Sequence, residues 1–365
     1  MAPNHPSLSF ESRTEWLRGE GRAADVVMSS RVRLARNLAG CPFPHRGSRV
    51  HRQASLQLCR RAVVSAGLSP TLLWADLHQA SPLERMLLVE RHLISKHHSK
   101  SRPCGGPPGP GPDDPRGVAI ALPDERVSVM VNEEDHLRIQ VIRTGLALGE
   151  CWREITEVDD RLEASLNYAF SPRFGYLTAC PTNVGTGLRM SVMLHLPGLR
   201  LTGDIEKVKR AATDMNLAVR GFYGEGSDAA GDFYQLSNQT TLGKTERQVL
   251  DELESQIIPR VVEYERVARR MIATKRLAAV EDQVHRSLGI LSHARLVSTE
   301  EAMQLLSHMR LGVVLGIIKH VDQAVVNHLM LLVQPAHLQK VLGREMDQDQ
   351  RRVARADLLR AKIAR

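Results

Sequence analysis

The chain has little lysine, nine residues against 40 arginines in a length of 365. Aromatic residues are scarce too, at 4%, so the core has to be built from Leu, Val, Ile, Ala and Met. Five cysteines, at 41, 59, 104, 151 and 180, are odd in number and widely scattered, which argues against a disulfide framework, and no CxxC pair offers a zinc spacing. The 15 histidines show no HExxH or similar pattern, so no metal site is expected. No apolar run approaches the roughly 20 residues that a membrane span needs. The first ten residues are polar and lack the apolar stretch of a secretory signal. The expectation is a cytoplasmic, reduced protein without a membrane partner.

What is present narrows the class only a little. Hydrophobic residues at 42% and charged residues at 25% exclude wholesale disorder, and the length suffices for one large domain or two ordinary ones. A net charge of +8 leaves nucleic acid open as a partner. The arginine bias fits a GC-rich genome. It fits equally a surface for phosphates, which guanidinium binds in a bidentate fork.

Residues 25–28, 118–122, 126–131 and 136–142 read as strands, with a hairpin turn at Pro123-Asp124-Glu125. Helical texture runs over 51–66, 81–92 and 151–169, and a short strand over 176–180. The Pro/Gly-rich stretch 99–117 can form neither helix nor sheet and reads as a mobile surface loop. From about 246 onward the pattern becomes almost purely helical. The expected fold class is α+β, an antiparallel β-sheet flanked by helices followed by an all-α C-terminal domain. The expected boundaries are 1–248 and 249–365.

Two phosphate signatures fail. Gly243-Lys244-Thr245 ends like a P-loop, but Asn238 stands where the first glycine is needed. Residues 224–229 match GxGxxA without a βαβ setting. Four other segments combine arginine or carboxylate with flexible residues. In Ser29-Ser30-Arg31-Val32-Arg33-Leu34 a period of two puts Ser29, Arg31 and Arg33 on one face; this suits a polyphosphate or, equally, a solvated edge strand. In Asn132-Glu133-Glu134-Asp135-His136-Leu137-Arg138 the same parity groups Glu134, His136 and Arg138, although an acidic hairpin turn would look the same. Cys180-Pro181-Thr182-Asn183-Val184-Gly185-Thr186-Gly187-Leu188-Arg189 leaves backbone N–H groups for an anion or for lowering a cysteine pKa. Arg220-Gly221-Phe222-Tyr223-Gly224-Glu225 is the fourth.

Together, and in this order, these segments resemble the active-site motifs of the phosphagen (guanidino) kinases, with CPTNVGTG similar to the reactive-cysteine signature of that superfamily. Creatine- and arginine-type members carry a helical domain before S-x-R-x-R. Here that motif begins at Ser29, so such a domain is expected to be absent. With a helical region following the catalytic part, and stretches such as 175–178, 223–227 and 236–243, the layout is similar to the bacterial protein-arginine kinase (McsB) family. That resemblance implies ATP-dependent phosphorylation of arginine side chains in proteins.

By motif position the resemblance puts the catalytic glutamate at Glu134 and a second substrate-clamping carboxylate at Glu225, with Glu133 and Asp135 left to orientation or structure. It puts phosphate-binding arginines at Arg31, Arg33, Arg138, Arg189 and Arg220. It extends the nucleotide site to Ser29, Ser30, Val32, His92, Met190, Ser191, Val192, Met193, Gly221, Phe222, Tyr223 and Gly224, with Cys180 and Asn183 adjacent. ATP with Mg²⁺ is implied, and the sequence shows no protein cage for the metal. Family members carry R-D-x-x-R-A near the C-terminus, a phosphoarginine-binding allosteric motif. Here it reads Arg351-Arg352-Val353-Ala354-Arg355-Ala356, with Arg352 in place of Asp. Arg351 and Arg355, one helical turn apart, keep a spacing that could grip a phosphate; a solvated basic helix face is the other reading. The resemblance also implies misfolded proteins and a heat-shock repressor as substrates. A Clp-type unfoldase-protease, a zinc-finger activator adaptor and homodimerisation through the helical domain are implied with them. Two alternatives stand beside it, a small-molecule guanidino kinase and a catalytically dead, nucleic-acid-binding regulator. No nucleic-acid motif or aromatic stacking run supports the last.

Overall fold

The alternation of Ser29, Arg31 and Arg33 with Val32 and Leu34 builds a ten-residue strand, β1 (Val27–Arg36). In the computed structural model, which describes residues 14–100, 114–222 and 230–363, β1 lies inside a sheet and not at its edge. The other strands are β2 (Thr71–Asp76), β3 (Gly117–Leu122), β4 (Val127–Val131), β5 (Leu137–Thr144), β8 (Leu188–His195), β9 (Leu217–Arg220) and β10 (Phe233–Asn238). They run in the order β2-β3-β4-β5-β1-β8-β10-β9 with every pairing antiparallel. A separate small hairpin joins β6 (Phe170–Ser171) to β7 (Gly175–Tyr176).

The helices between strands are α1 (Arg49–Ser65), α2 (Pro82–Glu90), α3 (Lys96–Lys100), α4 (Leu148–Glu163), α5 (Pro197–Thr202) and α6 (Ile205–Asp214). The apolar face of the sheet, including Val32, Leu34, Ile139, Val141, Met190 and Val192, packs on α1 and α4 in one core. After the sheet come α7 (Glu246–Asp251), a π-helical turn (Glu252–Ile257) and α8 (Ile258–Lys275). The remaining helices are α9 (Leu277–His293), α10 (Thr299–Val314), α11 (Gln323–Leu332), α12 (Pro335–Val341) and α13 (Gln348–Ile363). They share a second core that reaches Trp16, Met193, Phe222 and Phe233 at one end of the sheet. The fold class is the one expected, an antiparallel sheet flanked by helices and followed by a helical region.

Arg310 of α10 ties that helical region to the sheet. Its buried guanidinium donates to Asn327 Oδ1 (3.0 Å), the carbonyls of Ala24 (2.8 Å) and Asp25 (3.0 Å), and His195 Nδ1 (2.7 Å). An arginine only donates, so His195 accepts at Nδ1 and carries its proton on Nε2 toward Ser307 Oγ, 2.9 Å away.

Some boundaries differ from expectation for a tertiary reason. The helix expected over 151–169 ends at Glu163 because Asn167 and Ala169 instead pair their backbones with Ala39 and Asn37. Residues 101–113 of the expected 99–117 loop lie outside the described residues. The hairpin at Pro123-Asp124-Glu125 forms as β3 and β4. Helix α2, which delivers His92 to the sheet, starts with a capping box between Ser81 and Glu84. Ser81→Ala is expected to cost about 1 kcal/mol, measurable as a small fall in Tm.

Candidate active site

The strand register gathers the arginines. Across the ladders Arg33 faces Arg189 on β8 and Gln140 on β5, and Ala35 faces Arg138. Gln235 on β10 faces both Met193 and Arg220. Directly opposed residues share a sheet face, so Arg31, Arg33, Arg138, Arg189 and Arg220 project together on the side away from α1 and α4. They line one cavity of about 290 Å³ with His92, Glu133, Glu134, Asp135 and Asn183. A small adjoining slot, sharing Arg31, His92 and Gln235 with it, is lined by Ser29, Ser191, Met193, Trp16 and Ile142.

Five guanidiniums this close repel one another. Burial and then the charges of Arg138, Arg189 and Arg220 pull the Arg31 pKa down to about 9. Arg33, 9% exposed and with its Nε buried without a hydrogen-bond partner, is pushed well below the ordinary arginine value by burial and four neighbouring guanidiniums. An arginine side chain does not relieve such repulsion by losing its proton. An anion relieves it, and the geometry suits one with several charged oxygens.

At one end of this face stands the carboxylate turn. Asn132 takes φ +59°, so the chain turns through residues 133–136 and strand geometry resumes only at Leu137. This breaks the parity that grouped Glu134, His136 and Arg138. Glu133, Glu134, Asp135 and Arg138 line the cavity, while His136 is buried beside Phe43 and accepts the Leu38 N–H at Nδ1 (3.2 Å). Glu133 is bound by Arg138 (2.7 Å) and Ser95. Burial alone would raise its pKa, but Arg138, then His98, hold it down to about 2. Asp135 accepts from Asn37 Nδ2 and Ala179 N, each at 2.6 Å, and burial pushes its pKa up to about 6.

The depressed Glu133 pKa makes a stability prediction. The charged pair contributes fully above the usual carboxylate value of 4.5 and is lost as pH falls toward 2. The Tm gap between wild type and Glu133→Gln is therefore expected to close between about pH 5 and pH 2, as thermal unfolding across that range would show.

The CPTNVGTG loop differs from its expected role. The amides of Asn183, Val184, Gly185 and Thr186 already donate within the protein, to Cys180, Pro181, Tyr176 and Thr241 carbonyls. Thr241 Oγ1 closes the loop, lying 2.8 Å from the carbonyls of both Thr182 and Val184 and donating its one proton to either. Gly185 takes φ +112°, and a Cβ there would meet Thr241 O at 2.3 Å. The loop reaches the cavity through Asn183 and Gly187. Cys180 does not line it; its Sγ lies 3.0 Å from Thr182 Oγ1. Arg36 anchors the loop, paired with Asp159 (2.7 Å), donating to Thr186 O (2.9 Å) and lying 3.6 Å from the Tyr176 ring centroid.

The remaining expected residues divide by face. Val32, Met190 and Val192 sit in the core on the opposite side of the sheet, and Ser30 there bridges Gly145 O (2.8 Å) and Ala147 N (3.0 Å). Gly221 and Phe222 are buried, Phe222 beside the His92 ring. Tyr223, Gly224 and Glu225 lie outside the described residues. Sequence parity missed Gln140, Gln235, Ser95, His98 and Arg116, which also line the cavity. Only Gln140, two residues after Arg138, had a signal that could have found it.

In α13, Arg355 is 2% exposed and donates to the carbonyls of Val333 (2.7 Å) and Val297 (2.9 Å), while Arg351 donates to Met346 O (2.7 Å). Both guanidiniums, whether for a phosphate or for a solvated face, are instead turned to main-chain carbonyls, and Arg355 ties the helix to its neighbours. Arg352 leans toward Asp349 (3.7 Å) and Ala356 is buried.

Residues 58–268 match the family described as ATP:guanido phosphotransferase, C-terminal catalytic domain. Residues 277–365 match the protein-arginine kinase McsB C-terminal domain. A protein-arginine kinase of Symbiobacterium thermophilum is 46% identical over 360 residues, 98% of each chain. The chain belongs to the protein-arginine kinase family. A second family member, from Halothermothrix orenii, is 44% identical over 357 residues, again 98% of each chain. Solved guanidino kinases share the fold. The duplicated taurocyamine kinase of Schistosoma mansoni aligns with TM-score 0.57 at 26% identity, over 72% of this chain and 36% of that one. A lombricine kinase aligns with TM-score 0.55 at 25% identity, over 72% of both chains.

Proposed function

We propose that the chain transfers the γ-phosphoryl group of MgATP to the guanidinium of arginine side chains in proteins. The observation that carries this is the placement of five guanidiniums on one sheet face around a single cavity, with a carboxylate turn at its end. Family membership supplies the acceptor. Arg31, Arg33, Arg138, Arg189 and Arg220 neutralise the phosphates, and the base lies beside the neutral ring of His92, which borders the same cavity. Burial, then the charges of Arg31 and Lys96, hold the His92 pKa down to about 3. Mg²⁺ enters with ATP, bound to its phosphates, as part of the substrate.

A guanidinium is no nucleophile while its cation is intact. Glu134 and Glu225 hold the acceptor in line. The N–P bond forms as the bond to the ADP oxygen breaks, and Glu134 takes the proton released by the attacking nitrogen. Glu133 orients Arg138 and Asp135 fixes the turn. Family membership extends the proposal to misfolded proteins and a heat-shock repressor as substrates, delivered to a Clp-type protease. It extends likewise to a zinc-finger activator, a cytoplasmic homodimer and a helical unit at 249–365 following a catalytic unit at 1–248.

The test is competition. The chain with ATP should label an unfolded protein, and excess free arginine or creatine should leave that labelling intact. Transfer of the label to the free guanidino compound in preference to protein would make it a small-molecule kinase instead.

A further inference from the structure

At the end of α2 three consecutive residues do three different things. Glu90, 3% exposed, reaches α12, where its carboxylate accepts from Ala336 N (2.8 Å), His337 N (2.9 Å) and His337 Nδ1 (2.8 Å). Arg91, 1% exposed, forks onto Glu125 (2.7 and 2.9 Å) and meets His337 Nε2 at 3.3 Å. Arginine only donates, so His337 Nε2 accepts and Nδ1 carries the proton toward Glu90. The imidazole is thereby neutral and in one tautomer, bridging the two charged residues.

His92 follows with φ +59°. Its N–H bonds to Val89 O (3.0 Å) and that of Leu93 to Leu88 O (2.9 Å). This is a Schellman end to the helix, with histidine at the left-handed position where glycine is usual. Gln140 Nε2 donates to the His92 carbonyl (2.6 Å). The ring meets Trp16 and Phe222 edge-on at centroid distances of 4.8 and 5.5 Å, and it borders both the main cavity and the slot. A left-handed non-glycine residue persists only where its surroundings over-determine it, and such residues cluster at functional sites.

We propose that Glu90, Arg91 and His337 form a clamp through which α12 of the helical region positions His92 against the nucleotide. They are positioning residues and touch no substrate. The inference rests on the nucleotide reading of the cavity and adds that ATP affinity depends on an element outside the sheet.

The test is a double-mutant cycle on ATP affinity, read by calorimetry on the full chain, with Tm and kcat recorded beside it. Glu90→Gln keeps the side-chain volume, and His337→Phe serves as the second variant should the first fail to fold. Either is expected to raise the Kd for ATP about tenfold while kcat at saturation stays within about twofold. In a His92→Ala background the same change should add almost nothing. Additive effects, or a fall in Tm with an unchanged Kd, would overturn the clamp. Wild-type chain that binds no ATP would overturn the nucleotide reading and the clamp with it; binding with an additive cycle would overturn the clamp alone.

Discussion

Glu134→Gln is expected to lower kcat by about 10³-fold while changing the Kd for ATP by no more than about twofold. Glutamine keeps the size of the side chain and loses both the negative charge that holds a guanidinium and the capacity to take its proton. The arginine face is built on β1, β5, β8 and β9, and Arg138 in it takes its main support from Glu133 and less from Glu134. Nucleotide binding and phosphoryl transfer should therefore separate. Glu133→Gln should behave differently: removing the partner of Arg138 disturbs a phosphate-facing arginine, so the Kd for ATP should rise as well. Calorimetric titration with ATP, run beside initial rates on an unfolded protein, distinguishes the two. A Glu134 variant with normal kcat would remove that residue from the chemistry.

Arg33→Met is expected to lower kcat/KM for ATP by about 10²- to 10³-fold and, at the same time, to raise the Tm of the nucleotide-free protein. Arg33 is nearly buried, its Nε has no partner, and four neighbouring guanidiniums oppose its charge. Without an anion that charge destabilises the fold, and a flexible apolar chain of similar length removes the repulsion. Saturating ATP should raise the wild-type Tm more than the variant's, because only the wild type has this repulsion to relieve. A lower nucleotide-free Tm in the variant would mean that Arg33 serves the fold rather than the phosphates. This opposition between stability and function is what an anion site built from like charges entails.

How much of this is visible in sequence depends on how far apart the deciding residues are. The period-two alternation at Ser29–Leu34 separates cavity-facing from core-facing residues correctly, because a strand's side-chain direction is local. That β1 is central is not local. It follows from pairings such as Ser29 with Thr144 and Arg33 with Arg189, and only they turn two arginines into five around one cavity. Of the Glu134–His136–Arg138 grouping only Glu134 and Arg138 meet at the cavity; His136 leaves it because a left-handed residue, Asn132, stops the strand. The CPTNVGTG amides cannot be judged from their own segment, since Tyr176 and Thr241, which take two of them, come from elsewhere. Arg355 reads as an exposed basic position on a helix and is instead turned inward, because Val297 and Val333 carbonyls meet it there. Gln235 carries no signal in sequence at all; its place follows from facing Met193 and Arg220 across two ladders.

The most direct measurement is the chemical identity of the product. An unfolded protein incubated with ATP and the full-length chain, then digested under non-acidic conditions, can be mapped by mass spectrometry. The account predicts phosphate on arginine that is lost on acid treatment and does not form with Glu134→Gln. Acid-stable phosphate on serine or threonine, or an arginine phosphate that persists at full level in the Glu134 variant, would contradict it.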